Sequence, residues 1–239
     1  MVELSRGEKN FIRGGIAQDL RCDGRSRLSY RPIHVDTGVI PQADGSARVR
    51  IGGTYVIVSV KAELGKPSSS QTDKGKVSIH IDCSATAAPI FQGKGGEALS
   101  TELAADLQRC LLGGKSGAGA GIDLSSLSIV EGKVCWDLYI DGLVISADGN
   151  LLDALGAAIK VGKHYIVDAN LEEESQMSSA MSISINRKGH ICGLTKRGGA
   201  GVDPSLLFDM ISVAMLVSEK FMNKLDSEIA AAEAREGES

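Results

Sequence analysis

The chain has 239 residues, of which 43% are hydrophobic and 23% are charged, and its formal net charge is −4. This is the composition of an ordinary folded protein, long enough to bury a substantial core or to form two small domains. The net charge argues against a protein that holds nucleic acid over its whole surface, because neutralising phosphates requires clustered Lys and Arg. No apolar run approaches the roughly 18 residues that span a bilayer, and the charged N-terminus lacks a signal peptide's apolar core, so no membrane partner is expected.

The cysteines and histidines indicate neither a metal site nor a disulfide framework. The five cysteines lie far apart without a CxxC pair, and none of the four histidines has a companion at ligand spacing. We therefore expect no metal, no cofactor and a reducing compartment.

In the first half of the chain, the spacing of apolar residues predicts a short helix over residues 3–18 that directs Phe11, Ile12 and Ile16 inward. Alternating and β-branched residues then predict strands over residues 33–38, 47–63 and 77–83, with turns at Gly45 and at Gly52-Gly53.

A second helix is predicted over residues 99–112, where leucines repeat every four residues. The glycine-rich residues 113–121 that follow do not form a phosphate loop of the Walker type. Such a loop needs a glycine where the chain has Arg109, and it follows a strand rather than a helix.

The central unit of the chain is a strand, a turn and a helix. Strict alternation predicts a half-buried strand over residues 134–146. The turn at Asp148-Gly149-Asn150 follows, and Leu151, Leu155 and Ile159 then recur at helical spacing, which predicts a helix to about Lys160. The first free N–H groups of such a helix often hold a ligand.

The remaining elements complete an α+β order. A short strand is predicted at 165–167, an acidic loop at 168–176, and a hairpin over 181–185 and 191–196. A helix begins at Pro204 with a long apolar stripe, and the tail from about Ala230 is expected to fray.

Five short motifs follow one another in the first 60 residues: Arg21-x-Asp23-Gly24-Arg25, Arg31-Pro32-Ile33, Gly38, Gly45-Ser46-Ala47-x-Val49 and Gly52-x-Thr54-x-Val56. In this order they resemble the opening of ribonuclease PH-like proteins. Residues 136–153 and 168–174 are similar to one branch of that family, the ring subunits of the RNA exosome. The resemblance covers roughly residues 5–225 and implies a ribonuclease PH-like fold, in which mixed sheets pack on helices in two pseudo-repeated halves.

The resemblance implies one domain over residues 1–239, with a first part at 19–160, a second part at 161–229 and a frayed acidic tail at 230–239. Family members have a longer stretch, including an acidic loop and a strand, between the helix ending near Lys160 and the segment that begins at Gly162. This chain joins the two directly, which predicts an internal deletion and a destabilised second part, since each unpaired backbone group costs roughly 1–3 kcal/mol.

Active members of the family use inorganic phosphate to attack the 3′-terminal phosphodiester of RNA. Their phosphate pocket has Gly-Ser-Arg where this chain has Gly149, Asn150 and Leu151, so the bidentate guanidinium is missing. Their pair of acidic residues falls on Glu174 and Ala180, of which only Glu174 keeps a carboxylate. Both sites are thus degenerate, and we expect no catalytic residue. Another arginine that converges with a carboxylate on the Gly149 turn would overturn this interpretation.

The leading hypothesis is a non-catalytic ring subunit that supports RNA degradation and rRNA processing by forming the channel that RNA threads. The resemblance implies partnership with other ring subunits, cap subunits and RNA, and a location in nucleus, nucleolus and cytoplasm. Arg109 and Lys94 are the candidate RNA contacts. The acidic run Glu172–Glu174 is interpreted as a solvated loop. The alternatives are an active phosphate-dependent exoribonuclease and a truncated isoform that does not assemble.

Overall fold

The computed structural model describes residues 4–87, 91, 94–112, 122–149, 151, 157–161, 164–177, 179–185 and 188–237. The helices are α1 (Arg6–Ala17), α2 (Lys94–Leu112), the one-turn α3 (Leu171–Glu174) and α4 (Pro204–Gly237). The strands are β1 (Ile33–Thr37), β2 (Gly45–Ile51), β3 (Thr54–Gly65), β4 (Lys76–Cys83), β5 (Ser128–Val130), β6 (Val134–Ser146), β7 (Ala157–Val161), β8 (His164–Val167), β9 (Ser179–Ile185) and β10 (Ile191–Arg197).

These elements cluster into two compact units. Unit 1 contains Met1–Ile33, Ile51–Thr54 and Ala147–Ser227, and unit 2 contains His34–Arg50, Tyr55–Ser146 and Glu228–Ser239. Each unit is assembled from segments that are distant in sequence. The division into one domain with consecutive parts stays a prediction.

Unit 2 is built on a mixed sheet with strand order β1-β2-β3-β6-β4, to which β5 adds by pairing with β6. The long strand β6 runs antiparallel to β3 and parallel to β4. Along β4 the odd-numbered positions Val77, Ile81 and Cys83 are buried and the even-numbered positions are exposed, as alternation in a strand with one covered face requires. Helix α2 packs on β4 and buries Leu103.

Unit 1 is built on a second sheet, with strand order β10-β9-β7-β8. The first turns of α4 cover this sheet, and Met210 and Ala214 pack on Met181 and Ile183 of β9. Helix α1 begins with a capping box between Ser5 and Glu8, in which each side chain accepts from the other residue's backbone N–H. Its buried residues Ile12 and Ile16 form a separate apolar cluster with Ala169.

Most predicted elements are confirmed, including the strands on either side of Gly52-Gly53, the long strand before the Gly149 turn and the helices α2 and α4. Three expectations in the local structure are wrong. Phe11 is 72% exposed rather than inward. Residues 230–237 continue α4 instead of fraying. The predicted acidic loop contains the helical turn α3.

The predicted helix over residues 151–160 is also wrong where the structure describes it. Leu151 lies in a turn, and Ala157–Val161 form strand β7, which pairs antiparallel with both β8 and β9. Ile159 fits a strand as well as a helix, and the hydrogen bonds of two neighbouring strands outweigh its helical spacing. The intervening residues 152–156 lie outside the described part of the chain.

Within the described ranges, no helix has both the length and the apolar character needed to cross a bilayer. Those ranges also contain no group of three or more His, Cys, Asp or Glu side chains placed to hold a metal ion.

Candidate functional site: the Gly149 turn and the arginine cluster

The turn after β6 is fixed by hydrogen bonds to its backbone. Gly149 has a φ of +76°, a left-handed conformation that glycine adopts without strain. The hydroxyl of Thr54 donates to the carbonyl oxygen of Gly149 at 2.8 Å and accepts from the N–H of Asp148 at 3.1 Å. A single buried threonine therefore holds both sides of the turn.

Arg31 contacts the same turn from inside the protein. Its Nη1 donates to the carbonyl oxygen of Asp148 at 2.6 Å, and its Nη2 lies 3.5 Å from the carbonyl oxygen of Gly149. The other edge of the guanidinium binds the carboxylate of Asp168, with Nη2 2.7 Å and Nε 3.1 Å from Oδ1. The backbone N–H of Arg31 also donates to Asp168, at 2.7 Å from Oδ2. Arg31 thus joins the turn to the segment that follows β8.

The glycine pair between β2 and β3 makes room for these contacts. A Cβ at Gly52, whose φ is +58°, would lie 2.5 Å from Cδ of Arg31. A Cβ at Gly53 would lie 2.6 Å from Oδ2 of Asp148. Both distances are too short for real side-chain contacts, so this hairpin turn accommodates only glycine without movement of Arg31 or Asp148.

Two further arginines complete a buried network in unit 1. Arg21 forms a bidentate ion pair with Glu173 and donates to the carbonyl oxygen of Val167 at 2.7 Å. Arg25 binds Asp168 with its Nη1 2.9 Å from Oδ2. We call the set Arg21, Arg25, Arg31, Asp168 and Glu173 the arginine cluster.

The arginine cluster is almost free of solvent. The side chains of Arg21, Glu173 and Asp168 are 0–1% exposed. Removing such charges from water costs several kcal/mol each unless their donors and acceptors are matched. Here Arg21 and Arg31 form bidentate pairs, and both also donate to carbonyl oxygens. Asp168 even adopts a φ of +53°, which is uncommon for a residue other than glycine. The network therefore overrides a local backbone preference.

Two neighbours of the cluster have shifted pKa values. Partial burial pushes the pKa of Asp23 upward, but hydrogen bonds and charge from Arg25 outweigh burial and hold that pKa below its ordinary value. The pKa of the Cys22 thiol is raised, first by desolvation and then by the negative charges of Glu173 and Glu172. Cys22 is therefore held in the thiol form, which is a poor nucleophile.

The predicted phosphate site lacks a charged side chain in its described residues. Leu151 is half-buried next to the turn, and Asn150 lies outside the described residues. Of the predicted acidic pair, Glu174 ends α3 and donates its N–H to the carbonyl oxygen of Asn170 at 2.9 Å. Ala180 lies in β9 and packs on the apolar cluster of α1.

The candidate RNA contacts lie at the two ends of α2. Arg109 belongs to its last turn, has a side chain that is 58% exposed, and forms an ion pair with Asp106. Lys94 is the first residue of the helix, and its side chain lies outside the described part of the structure.

The arrangement that would overturn the degenerate-site interpretation is present in part. Arg31 and Asp168 do converge on the Gly149 turn. However, the Arg31 side chain is only 6% exposed, and its donors bind protein carbonyl and carboxylate oxygens. A guanidinium whose donors are already bound inside the protein supports the turn and is not available to a phosphate.

The acidic run Glu172–Glu174 is predicted to be solvated, and for Glu173 that prediction is wrong. Its carboxylate is buried, binds Arg21 and accepts from the N–H of Asn170 at 2.9 Å. The sequence motifs contain these residues, although the sequence did not predict that they form a site. Arg21 and Arg31 are the first residues of two motifs, and Asp168 lies in a third. A buried strand just before Asp168 was the signal that its carboxylate would need a partner.

Two family models match consecutive parts of this chain. The family model described as 3′ exoribonuclease family, domain 1, matches residues 29–161, and the model for domain 2 of that family matches residues 155–216. An exosome complex component Rrp42 from Methanocella arvoryzae is 30% identical, with 92% of this chain and 95% of the relative covered.

The RRP42 relative from Dictyostelium discoideum is 28% identical over 317 residues, which cover 95% of this chain and 98% of the relative. Since the chain has 239 residues, that relative carries residues without a counterpart here. Among solved structures, a chain of an Archaeoglobus fulgidus exosome with RNA bound to the active site superposes with a TM-score of 0.81 at 25% identity, covering 91% of this chain and 97% of that one. A chain of an archaeal exosome core has the same fold, with a TM-score of 0.76 at 23% identity and coverage of 92% and 96%.

Proposed function

The chain belongs to the 3′ exoribonuclease family, and from that premise we propose that it is a ring subunit of an RNA exosome that does not itself catalyse phosphorolysis. Its similarity to Rrp42 components extends over more than nine-tenths of the chain. Together with the likeness to a subunit of a solved exosome, this supports a place in such a ring.

The observation that carries the non-catalytic assignment is the state of the Gly149 turn. Phosphate and the scissile phosphodiester are both anionic, so the reaction needs positive side chains that face the substrate. The arginine at this turn, Arg31, is buried and bound to Asp148 and Asp168. Leu151 adds no charge.

The acidic position supports the same conclusion. Handling a proton or a metal ion requires a carboxylate that faces the substrate. Ala180 instead contributes a methyl group to the cluster of Ile12, Ile16 and Ala169. An aspartate there would enter apolar surroundings, so both reactive groups are lost independently.

In this proposal the partners are other ribonuclease PH-like ring subunits, cap subunits and RNA, and the protein works in the nucleus, nucleolus and cytoplasm. The roles in rRNA processing and RNA degradation belong to the assembled ring. Expression with the other ring and cap subunits, followed by light scattering on the separated complex, should give one assembly that contains this chain. A chain that elutes alone would favour an isoform that does not assemble.

The direct test of catalysis uses the purified chain, inorganic phosphate and a 3′-labelled single-stranded RNA. We expect no release of nucleoside diphosphates, in the presence or absence of phosphate. Phosphate-dependent release by the wild-type chain would reject the proposal. In that case the double variant Leu151→Arg, Ala180→Asp should leave the rate unchanged, because the activity would run through other groups.

Arg109 provides a separate test of RNA contact. Arg109→Glu should lower ultraviolet cross-linking of the assembled ring to RNA about fivefold or more, because it replaces an exposed positive charge by a negative one. The control Lys133→Glu makes the same charge change at an exposed residue between β5 and β6. Equal cross-linking of the two variants would remove Arg109 from the RNA path.

A further inference from the structure

Strand β4 is the outermost strand of the sheet in unit 2. It pairs with β6 on one side, and among the described residues no strand follows it on the other. The N–H of Ser84 donates to the carbonyl oxygen of Val144 at 3.0 Å, which continues the parallel ladder. Because backbone groups alternate along a strand, the N–H and C=O of the odd-numbered residues, including Ile79 and Ile81, point away from β6. An open edge of eight residues without proline can accept another strand.

A cleft of about 560 Å³ lies beside this edge, between β4 and α2. Small residues of α2, among them Gly96, Ser100 and Ala104, face the cleft and leave the space open. The buried ring of Phe91 contributes to the same lining. The cleft is large enough to admit a long side chain that enters from the strand edge, and its lining mixes apolar and polar residues.

The charge of the cleft lining determines which kind of partner side chain the cleft can bind. Glu97 on α2 is an exposed carboxylate in its lining, whereas Asp82 is an even-numbered position of β4 whose side chain projects from the face opposite α2. None of the lining residues that the structure describes is a lysine or an arginine. Such a lining repels the phosphates of RNA. It attracts a side chain with an apolar stem and a positive end, since lysine and arginine bury their methylenes while the charge stays near solvent.

We propose that the β4 edge and its cleft bind an extended segment of a partner protein, which adds as a strand to β4 and places a lysine or arginine beside Glu97. The backbone bonds of strand addition supply affinity, and the cleft supplies selection for the basic side chain. The site lies apart from the Gly149 turn in sequence and chemistry, so it does not depend on the ring assignment.

The probe is a fluorescent hexapeptide of alternating lysine and valine, titrated into the full chain and followed by anisotropy. Glu97→Lys should weaken its binding about fivefold to tenfold, because an attractive pair becomes a repulsive one. The control Glu131→Lys makes the same change at an exposed turn outside the cleft lining and should leave affinity within about twofold. Glu97 is exposed, so its substitution leaves the core intact.

Strand addition has its own signature in amide hydrogen exchange. The peptide should slow exchange at the outward amides of Ile79 and Ile81, and a peptide N-methylated at alternate residues should not. Equal affinity for Glu97→Lys and Glu131→Lys, or unchanged exchange at Ile79 and Ile81, would overturn the proposal. Protection of the same amides by a ten-nucleotide oligouridine would also overturn it, in favour of a nucleic-acid site.

Discussion

Arg31 joins the Gly149 turn to the buried carboxylate of Asp168. Replacing it by methionine keeps the length of the side chain but leaves the buried carboxylate of Asp168 without its bidentate partner. Breaking a buried ion pair from one side costs about 3–5 kcal/mol. We expect Arg31→Met to lower the free energy of unfolding by that amount, as measured by urea denaturation monitored by circular dichroism.

The matched control is Arg48→Met in unit 2. Arg48 also pairs with an aspartate, Asp36, but both side chains are more than 40% exposed. Exposed pairs contribute about 1 kcal/mol or less. A loss of stability as small for Arg31→Met as for Arg48→Met would show that the arginine cluster is not a structural centre.

Asp23 predicts a pH dependence of stability. Its pKa is lower in the folded chain than in the unfolded chain, chiefly because Arg25 outweighs the effect of partial burial. The stability it adds is complete above the unfolded pKa of about 4 and is lost as the pH falls through the folded value. Urea midpoints of the wild-type chain should therefore fall below about pH 4 more steeply than those of Asp23→Asn. Parallel curves would contradict this role.

At the residue scale, the sequence predicted the important positions, but it did not predict the contacts that these residues make. The motifs around Arg21, Arg31 and Asp168 were recognised by resemblance alone. Their ion pairs join residues 137 to 152 positions apart, and no local pattern reports such distances. Glu173 is flanked by two other glutamates, and the sequence does not indicate which of the three carboxylates is buried.

At the scale of elements, the β2–β3 turn gives a sharp comparison between two glycines. Gly52→Ala must adopt a φ of +58° and place its Cβ against Arg31. The backbone term alone costs about 1–2 kcal/mol. Gly45→Ala, at the start of β2, meets no atom within 4 Å and has no such φ. Thermal denaturation should show a clear loss for Gly52→Ala and little change for Gly45→Ala. Equal melting temperatures would mean that Arg31 moves without cost.

The elements also show where periodicity is informative. Strand β6 is thirteen residues long, and the alternation over most of its length predicts its boundaries correctly. In β7 the pattern is only five residues long, and Ile159 satisfies both helical and strand spacing. Its conformation is set by pairing with β8 and β9, which sequence spacing does not contain.

At the scale of the whole molecule, α4 is apolar on two sides. Met210 and Val217 are buried on one side, whereas Phe208, Met215 and Leu216 are 67%, 45% and 53% exposed. The spacing of the exposed three places them on one face of the helix. Exposed apolar patches favour self-association of an isolated chain.

The variant Phe208→Ser, Leu216→Ser should therefore reduce the average mass of the purified chain in light scattering at micromolar concentration. Phe11→Ser is the control, because it removes an equally exposed aromatic ring from α1. A similar reduction by this variant and by Phe11→Ser would indicate nonspecific hydrophobic association rather than a property of α4.

The predicted internal deletion also belongs to this scale. The longer Dictyostelium discoideum relative agrees with missing residues, and the direct entry of β7 into the sheet of unit 1 gives its backbone two strand partners. A pairing of this kind limits the number of exposed backbone groups that a shortened chain would otherwise leave. The resemblance predicts the deletion, but sequence alone does not predict how the sheet would accommodate it.

The long reach of the arginine cluster has a consequence for biosynthesis. Arg21, Arg25 and Arg31 leave the ribosome more than a hundred residues before Asp168 and Glu173, whereas residues 55–146 of unit 2 emerge as one uninterrupted stretch. Domains generally fold during translation from the N-terminal side. Here the N-terminal guanidiniums have to stay hydrated until their carboxylates are translated, so the first segment to be made is among the last to reach its native place.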